Sequence, residues 1–532
     1  MKKILSRYRP TIFGKILLLS IVFASCTNKF DQINTPKTLL SADKIDASTV
    51  GQAFGYAQYY GLGALYVQVQ ENLHAHIYSQ YFTSNGANFG TERYVANATW
   101  VDLFWKEFYS KGALMQLTTE QVTEANDMPV ANAIAKIWRV EMYHRMTDYF
   151  GPIIYSRFGN YETSVPFDSQ QDIYNDFFKT LDDAVAVLKT NPSGYAFGNN
   201  DQVYRGATAQ WLKFANSLRL RLAMRIVYAD VDKAKTEAEK AVADGVITAN
   251  GDNAGVTSTP NNMNILSRIT YLTKDFLASS GLMSALIGYN DPRLSIYYAP
   301  AVTGGQFTAT RNGLPSSDRG AAVAPLTSYV GEKWVGNPPR SGTTNPTIVL
   351  NAAEVAFLRA EGALRGWDMG GTAQDFYNEG IRLSLTENIP AITTGQINDY
   401  QTSTAIPAAL ADKWNSPAMS DIPVLYDAAG SFEKQLEQII TQKWLALYPN
   451  GYEAWAERRR TGYPRGYALI GSDNPDLSRT DLARRVVYAP SEVTTNADAY
   501  NAAVDLLGGP DEMKTRLWWD KKPLSDYPKP TN

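Results

Sequence analysis

The sequence predicts a mainly α-helical protein: a TPR-like array of helical pairs with an irregular, loop-rich lobe. Three observations predict this class. Apolar residues recur at helical spacing through most of the chain, as at Ile134, Trp138 and Met142. Neighbouring helical segments are separated by short turns, as in helix–turn–helix solenoids. Two long stretches, 248–346 and 461–532, lack the helical spacing.

Helical periodicity marks the elements in chain order. Ser169 stands where an N-cap would open one helix, and Gly245 stands where a glycine would end another. The predicted helices lie around 101–118, 134–146, 173–188, 214–226, 232–243, 350–366, 372–388 and 433–448. The buried stripe of the last helix is expected to consist of Phe432, Leu436, Ile440 and Trp444.

Residues 352–381 carry the clearest signal for paired helices. Their alanines would let two helices approach closely, and Tyr377 and Gly380 resemble the second helix of a tetratricopeptide unit. The full consensus and a regular period are absent, so spacing alone leaves a plain α-helical bundle as the alternative. We assign residues 43–247 and 347–460 to a TPR-like helical lobe.

The two remaining stretches, 248–346 and 461–532, are rich in residues that favour turns. The first stretch is expected to form loops around one helix near 271–287, and the second is expected to be similarly irregular. Long segments without regular structure in a compact protein usually form functional surface. We therefore assign both stretches to an irregular loop-rich lobe.

The N-terminus has the features of an export signal. Basic residues precede the apolar run 16–24, which is shorter than the roughly 20 residues that span a bilayer. Cys26, the single cysteine, directly follows two small residues, which is the pattern of a bacterial lipobox. We predict a signal peptide over 1–25 and a lipidated tether over 26–42, with lipidation at Cys26. An ordinary secreted protein cut nearby is the alternative.

Composition argues against several classes of function. The net charge of −3 provides no basic field for nucleic acid. The chain contains no HExxH motif, phosphate loop or nucleophile elbow. His74 and His76 would diverge on a helix, and His144 suits a hydrogen-bonded structural role. We expect no catalytic residues, no metal site and no cofactor.

Aromatic residues outside the periodic segments are the candidates for ligand contacts. Sugar recognition stacks pyranose faces on aromatic rings and bonds the hydroxyls with polar side chains. Two loop segments, 81–100 and 305–340, combine both residue types, and Phe307 lies in the second. The candidate ligand-binding residues are Tyr81, Phe89, Tyr94, Trp100, Arg311, Asn312, Tyr329 and Trp334. Core packing is the alternative for each ring, and for a third aromatic stretch, 289–298, a structural role is favoured.

Charged residues in the helices are expected to be structural. Arg219, Arg221 and Arg225 share one predicted helix. Glu354 and Glu361 lie on another helix. Because buried charges need partners, we expect arginine–carboxylate pairs between these helices.

A second charged run, 458–460, follows Glu453 and Glu457. Its three arginines are expected to cap and cross-link a helix end. The tryptophans expected to pack in the core are Trp444, Trp455, Trp518 and Trp519.

Several motifs together resemble the SusD/RagB-like nutrient-binding lipoproteins of Bacteroidetes outer membranes. They occur in order from the lipobox to the C-terminus, so the resemblance covers nearly the whole chain. The matching stretches are 26–36, 147–155, 166–170, 211–225, 353–361, 439–444, 453–455, 458–464 and 518–520.

The resemblance implies four TPR-like helix pairs packed against a loop-rich lobe that holds the ligand. It also implies a surface location on the outer membrane and a partner, a SusC-like TonB-dependent transporter that this lipoprotein covers as a lid. The implied ligand is an oligosaccharide or, as in some relatives, a peptide. A subunit that closes the transporter without binding nutrient is a further alternative.

Overall fold

Helices dominate the part of the chain that the structure, a computed structural model, describes. The described residues are 44–63, 71–86, 89–160, 162, 164–259, 263–336 and 345–532. The predicted signal peptide, Cys26 and the tether lie outside them. Helices of eight or more residues are α1 (Val50–Gln58), α2 (Ala98–Glu107), α3 (Leu114–Ala125), α4 (Pro129–Phe150), α5 (Gln170–Lys189), α6 (Thr208–Arg225), α7 (Val231–Ala243), α8 (Ile265–Leu272), α9 (Ser280–Gly288), α10 (Ala352–Leu364), α11 (Ala373–Asn388), α12 (Thr394–Gln401), α13 (Phe432–Leu447), α14 (Gly451–Thr461) and α15 (Ala497–Leu507).

Shorter elements connect these helices. Single turns of α-helix are His76–Tyr78, Leu294–Tyr297, Glu332–Val335 and Pro490–Thr495, and π-helical turns are Tyr59–Gly63, Glu71–Ala75 and Phe108–Ala113. The strands are β1 (Phe82–Ser84), β2 (Ala254–Val256), β3 (Phe276–Ala278), β4 (Tyr298–Ala299), β5 (Tyr329–Val330) and β6 (Thr347–Leu350). They form two-stranded antiparallel sheets: β1 with β3, β2 with β6, and β4 with β5.

Consecutive helices pack as pairs, which confirms the helical-pair prediction. Helix α4 packs on α5, α6 on α7, and α10 on α11. The pairs also contact one another, because α6 touches both α5 and α10, and α10 touches α13. The result is a continuous array in which the central helices are buried on several sides.

The predicted helix boundaries follow the capping residues. The Ser169 side chain accepts a hydrogen bond from the Asp172 amide and opens α5. Helix α7 ends two residues before Gly245, which has a φ of +93°. The predicted helix over 101–118 is interrupted by the π-helical turn at Phe108–Ala113 and continues to Ala125.

One predicted helix and one predicted stripe are wrong in part. The helix expected near 271–287 is split into α8 and α9, since Lys274 adopts a φ of +53° and β3 then pairs with β1. The Ser279 side chain accepts from the Gly281 amide and restarts the helix. In α13, Leu436, Ile440 and Trp444 are buried, but Phe432 at the first position is 38% exposed.

Buried ion pairs join the helices, and one expected pair is present. Arg221 of α6 donates through Nε and Nη2 to the Glu354 carboxylate of α10 at 2.7 and 2.8 Å. Glu361 pairs with Arg460 and not with an arginine of α6. This difference arises because α14 also packs into the array and supplies its own cations.

The other arginines of α6 have partners that spacing did not predict. Arg225 pairs with Glu453 and lies 3.3 Å from the Asp148 carboxylate. Arg219 pairs with Asp182 and with Glu237. Each carboxylate comes from a different packed element, so the network depends on tertiary contacts.

The helical and loop-rich regions share a single hydrophobic core. Residues 47–532 form one compact unit. Its buried cluster includes Trp444 and Trp455 from helices and Trp519 from the C-terminal segment, as expected, whereas Trp518 is half-buried against the cluster. No helix among the described residues has both the length and the apolar character needed to cross a membrane.

Candidate functional site

A cleft of about 600 Å³ lies in the loop-rich region, between the segments 306–327 and 409–414. Helix α9 supplies part of its apolar wall through Met283 and Ile287. Two half-buried aromatic residues, Phe307 and Trp414, line it. The polar residues around them are Gln306, Thr308, Thr310, Ser317, Asp318, Thr327, Asp412 and Lys413.

Asp412 fixes the turn that carries Trp414. One of its carboxylate oxygens accepts from the amides of Trp414 and Ser416, at 3.1 and 3.0 Å. The other accepts from the hydroxyls of Ser416 and Ser280, at 2.7 and 3.1 Å. Because Ser280 belongs to α9, the turn is attached to the cleft wall, and the indole is held there.

The segment 406–408 makes a second attachment to α9. The Ala408 amide donates to the Ser284 carbonyl at 2.8 Å, and the Ser284 hydroxyl donates to the Ala408 carbonyl at 2.6 Å. Two hydrogen bonds to one helical residue leave little freedom for the chain that leads into the cleft. The wall that carries Trp414 is therefore built on a rigid element.

The opposite wall of the cleft, segment 306–327, is held by hydrogen bonds to β3 and by hydrogen bonds within the segment itself. The Thr310 amide donates to the Ala278 carbonyl at 3.1 Å, so Thr310 continues the hydrogen bonding of β3. The hydroxyls of Thr310 and Thr327 are 2.8 Å apart, and the Thr308 hydroxyl donates to the Leu326 carbonyl at 2.5 Å. These hydrogen bonds join the two ends of the 306–327 segment, and Phe307 lies near its beginning.

The charged groups at the cleft are exposed. Lys413 Nζ lies 3.4 Å from the Asp318 carboxylate, and the two side chains are 69% and 40% exposed. An ion pair this exposed contributes little to stability, so both groups are available to a ligand. The cleft thus combines two aromatic side chains with several hydrogen-bonding groups.

Phe89 and Trp100, two of the predicted residues, pack against each other and do not line this cleft. Their ring centroids are 5.4 Å apart, and both side chains are half-buried. Arg319 donates to the Phe89 carbonyl at 2.7 Å and directly follows Asp318 of the cleft. The two loop segments named from the sequence are thus adjacent at Arg319 and the Phe89 carbonyl.

Three other predicted aromatic residues lie in the core. Tyr81, Tyr94 and Trp334 are 0%, 5% and 3% exposed. The Tyr81 hydroxyl donates to the Trp444 carbonyl, and the Tyr94 hydroxyl donates to the Asp481 carbonyl, both at 2.6 Å. Their rings present no face to a ligand in this structure. Tyr81 packs against Trp444 of α13, and Trp334 packs against Tyr448. These contacts join segments far apart in the chain, so helical spacing cannot show them.

The two predicted polar residues, Arg311 and Asn312, are buried and support the loops of the site. Arg311 stacks over the Tyr467 ring at 4.4 Å and donates to the Ser416 hydroxyl at 3.2 Å. Asn312 donates to the Phe82 carbonyl at 2.8 Å. Both are 3% exposed, so they position the loops and do not reach a ligand here.

Tyr329 is half-buried on β5, where it pairs with Ala299, and it does not line the cleft. Trp414 was not among the predicted site residues. It lies in the segment 412–417, which combines Asp, Asn, Ser and Pro around a single aromatic residue. The criterion that selected 81–100 and 305–340 would have found it as well.

The histidines are bonded within the protein. His76 Nε2 lies 2.6 Å from the Pro449 carbonyl, and His144 Nε2 lies 3.2 Å from the Glu141 carboxylate. Burial opposes a charge on His144, but the Glu141 and Asp148 carboxylates outweigh it and raise its pKa. Among the described residues, no group of three or more His, Cys, Asp or Glu is placed to hold a metal ion.

Paired helices with a loop-built aromatic cleft define a helical-repeat protein. The chain belongs to the SusD-like family: residues 50–520 match the family described as SusD and RagB outer membrane lipoproteins. No curated protein matches the chain.

Solved structures of SusD homologues are similar over most of their length. A chitin-binding SusD homologue from Flavobacterium johnsoniae is 32% identical, with a TM-score of 0.80, covering 88% of this chain and 98% of that one. A homologue from Bacteroides thetaiotaomicron is 33% identical, with a TM-score of 0.79, covering 89% and 99%. One from Bacteroides uniformis is also 33% identical, with a TM-score of 0.80, covering 90% and 100%.

Proposed function

We propose that this member of the outer-membrane lipoprotein family binds an oligosaccharide in the aromatic cleft. It delivers the ligand to a SusC-like TonB-dependent transporter, which it covers as a lid at the cell surface. Binding involves no chemical step. The observation that carries the proposal is the placement of Phe307 and Trp414 in one cleft among exposed polar groups.

The cleft has the chemistry that a neutral sugar requires. Aromatic faces remove the apolar face of a pyranose from water, while Gln306, Thr308 and Asp318 offer donors and acceptors for hydroxyl groups. The SusD homologue from Flavobacterium johnsoniae, described as chitin-binding, makes chitin fragments the first ligands to test.

Anchoring by lipid is part of the proposal. Acylation of Cys26 would hold the protein at the outer membrane, and residues 27–42 would serve as the tether. A lid needs such an attachment, because tethering keeps its local concentration at the transporter high without a strong permanent interface.

Calorimetry on the full-length protein in detergent tests the ligand class. The panel contains chitin oligosaccharides, other neutral glycans and peptides. We expect a glycan to bind and Trp414→Ala and Phe307→Ala each to weaken binding about tenfold, or ~1.4 kcal/mol. Tyr195→Ala is the matched control, because Tyr195 is 75% exposed and lies outside the cleft.

Other outcomes would favour the alternatives. Binding of peptides and of no glycan would identify a peptide-binding lipoprotein. Binding of neither class, together with co-purification of a TonB-dependent transporter, would identify an assembly subunit. Unchanged affinity in both cleft variants would show that the ligand binds elsewhere on the protein.

A further inference from the structure

A second cavity, of about 720 Å³, lies where the C-terminal end of α14 meets the segments 476–484 and 514–532. Its volume is typical of small-molecule pockets, which span about 300–1,000 Å³. It shares no lining residue with the aromatic cleft. The cationic side chains that line it are Arg458, Arg465, Arg484, Lys514, Arg516 and Lys529.

Within the described part of the chain, carboxylates pair with four of these six cations. The lining contains two carboxylate side chains, Asp476 and Asp481. Arg484 and Arg516 share a third, Asp520, at 3.1 and 2.7 Å. Two guanidinium groups therefore share one carboxylate in this wall.

Two further cations of the lining, Arg465 and Lys514, pair with other carboxylates. Arg465 Nε lies 2.8 Å from the Glu437 carboxylate. Lys514 Nζ lies 2.9 Å from the Glu512 carboxylate and 3.5 Å from Asp476. Lys514 is 47% exposed, so its pairs are screened by water and exchange readily.

Arg458 is buried at this cavity without a carboxylate partner in the described part of the chain. It is 8% exposed and donates to the carbonyls of Tyr78 and Arg465, at 2.9 and 3.2 Å. Burial lowers the pKa of its guanidinium to about 10, so it remains charged at neutral pH. Within the described chain, Lys529 likewise has no carboxylate at ion-pair distance, and it is exposed at the rim.

Buried cations are ordinarily paired, and guanidinium groups bind oxyanions such as carboxylates and phosphates, frequently through two parallel hydrogen bonds. The remaining walls include Leu477, Leu482 and Tyr527, which offer apolar surface for the body of a ligand. We propose that this cavity binds a small molecule bearing an oxyanion, a carboxylate, sulfate or phosphate. Arg458 pairs with the anion in the interior, and Lys514 and Lys529 pair with it at the rim.

Thermal unfolding and calorimetry on the full-length protein in detergent test the proposal. The probes are glucuronate, sulfate and inorganic phosphate at low ionic strength. We expect saturable binding that raises the Tm and weakens with added salt. Tighter binding of glucuronate would identify an acidic sugar as the ligand class, and similar binding of all three would identify a general oxyanion site.

Variants locate the binding. Replacing both Lys514 and Lys529 by Gln removes two exposed charges with little risk to folding, and we expect affinity to fall about five- to tenfold. Arg458→Lys keeps the positive charge but removes the planar set of guanidinium donors. We expect this variant to weaken anion binding as well. Lys179→Gln is the matched control, since Lys179 is 72% exposed and does not line the cavity.

The cleft variant Trp414→Ala should leave anion binding unchanged, which separates this site from the proposed sugar site. The proposal fails if none of the three anions binds saturably. It also fails if the double lysine variant and Arg458→Lys both bind the anion as the control does.

Discussion

Arg221 of α6 and Glu354 of α10 form a two-pronged ion pair, at 2.7 and 2.8 Å, between residues 133 positions apart in the chain. Both side chains are 1% exposed. Arg221 also donates to the Val349 carbonyl at 2.7 Å, at the end of β6 that precedes α10. This arginine therefore connects helices that belong to different pairs of the array.

Removing this cation should destabilise the protein strongly. Arg221→Met would leave Glu354 buried without its charge partner, which costs about 3–5 kcal/mol. The measurement is the free energy of unfolding from denaturant titrations. Arg382→Met is the control, because its pair with Glu379 is 45% and 38% exposed and should contribute less than about 1 kcal/mol. Equal losses in the two variants would refute a structural role for the buried pair.

Glu453 should make stability depend on acid pH. Burial by itself would raise the pKa of Glu453, but Arg225 and Arg221 outweigh burial and lower it from 4.5 to about 2. Its stabilising contribution is therefore complete above pH 4.5 and is lost as the pH falls toward 2. In Glu453→Gln, we expect a lower Tm at neutral pH and a shallower decline of Tm over this window. Glu379→Gln, at an exposed position, should reproduce the wild-type slope.

Gly288 should control the position of the cleft wall. A Cβ at this residue would lie 2.2 Å from the Ala408 amide nitrogen and 2.3 Å from the Ile406 carbonyl oxygen. Gly288→Ala must push the 406–408 segment away from α9, at a cost of about 1–3 kcal/mol, and shift the turn that carries Trp414. We expect both lower stability and weaker glycan binding by calorimetry. Gly251→Ala should change neither, since a Cβ there meets no atom within 4 Å.

Cys26 should determine membrane attachment and not folding. Cys26→Ser removes the thiol that would carry the lipid, while the compact unit over 47–532 begins well after it. We expect cell fractionation to show the variant released from membranes, with an unchanged Tm. Its retention in membranes of cells that lack the transporter would contradict lipid anchoring at this residue.

Much of the helical region was predictable, because its signals are local. Ser169 opens α5, and Gly245 follows the end of α7, since capping depends on residues within one turn. The pairing of Arg221 with Glu354 followed from the rule that buried charges need partners. The partners of Arg225 did not follow, because Glu453 comes from a helix whose place in the array no local pattern encodes.

The cleft was only partly predictable for the same reason. The sequence singled out two loop segments, and the structure places them side by side through Arg319 and the Phe89 carbonyl. Tyr81 and Trp334 stood out as aromatic residues without periodic neighbours, yet distant loops and Trp444 or Tyr448 surround them. Burial of a loop residue depends on what packs over it, which is a property of the whole fold.

The sequence by itself determined the helical class and the family, and it predicted paired helices and two segments that could hold a ligand. Helical spacing, capping residues and the order of motifs can be identified from the sequence, because they do not depend on contacts between distant segments. Tertiary structure alone decided which aromatic residues face solvent, which carboxylate neutralises each arginine, and how residues 306–327 and 409–414 enclose a cleft. These features arise where segments far apart in the sequence meet. The free energy of burying each residue there depends on all the segments that contact it.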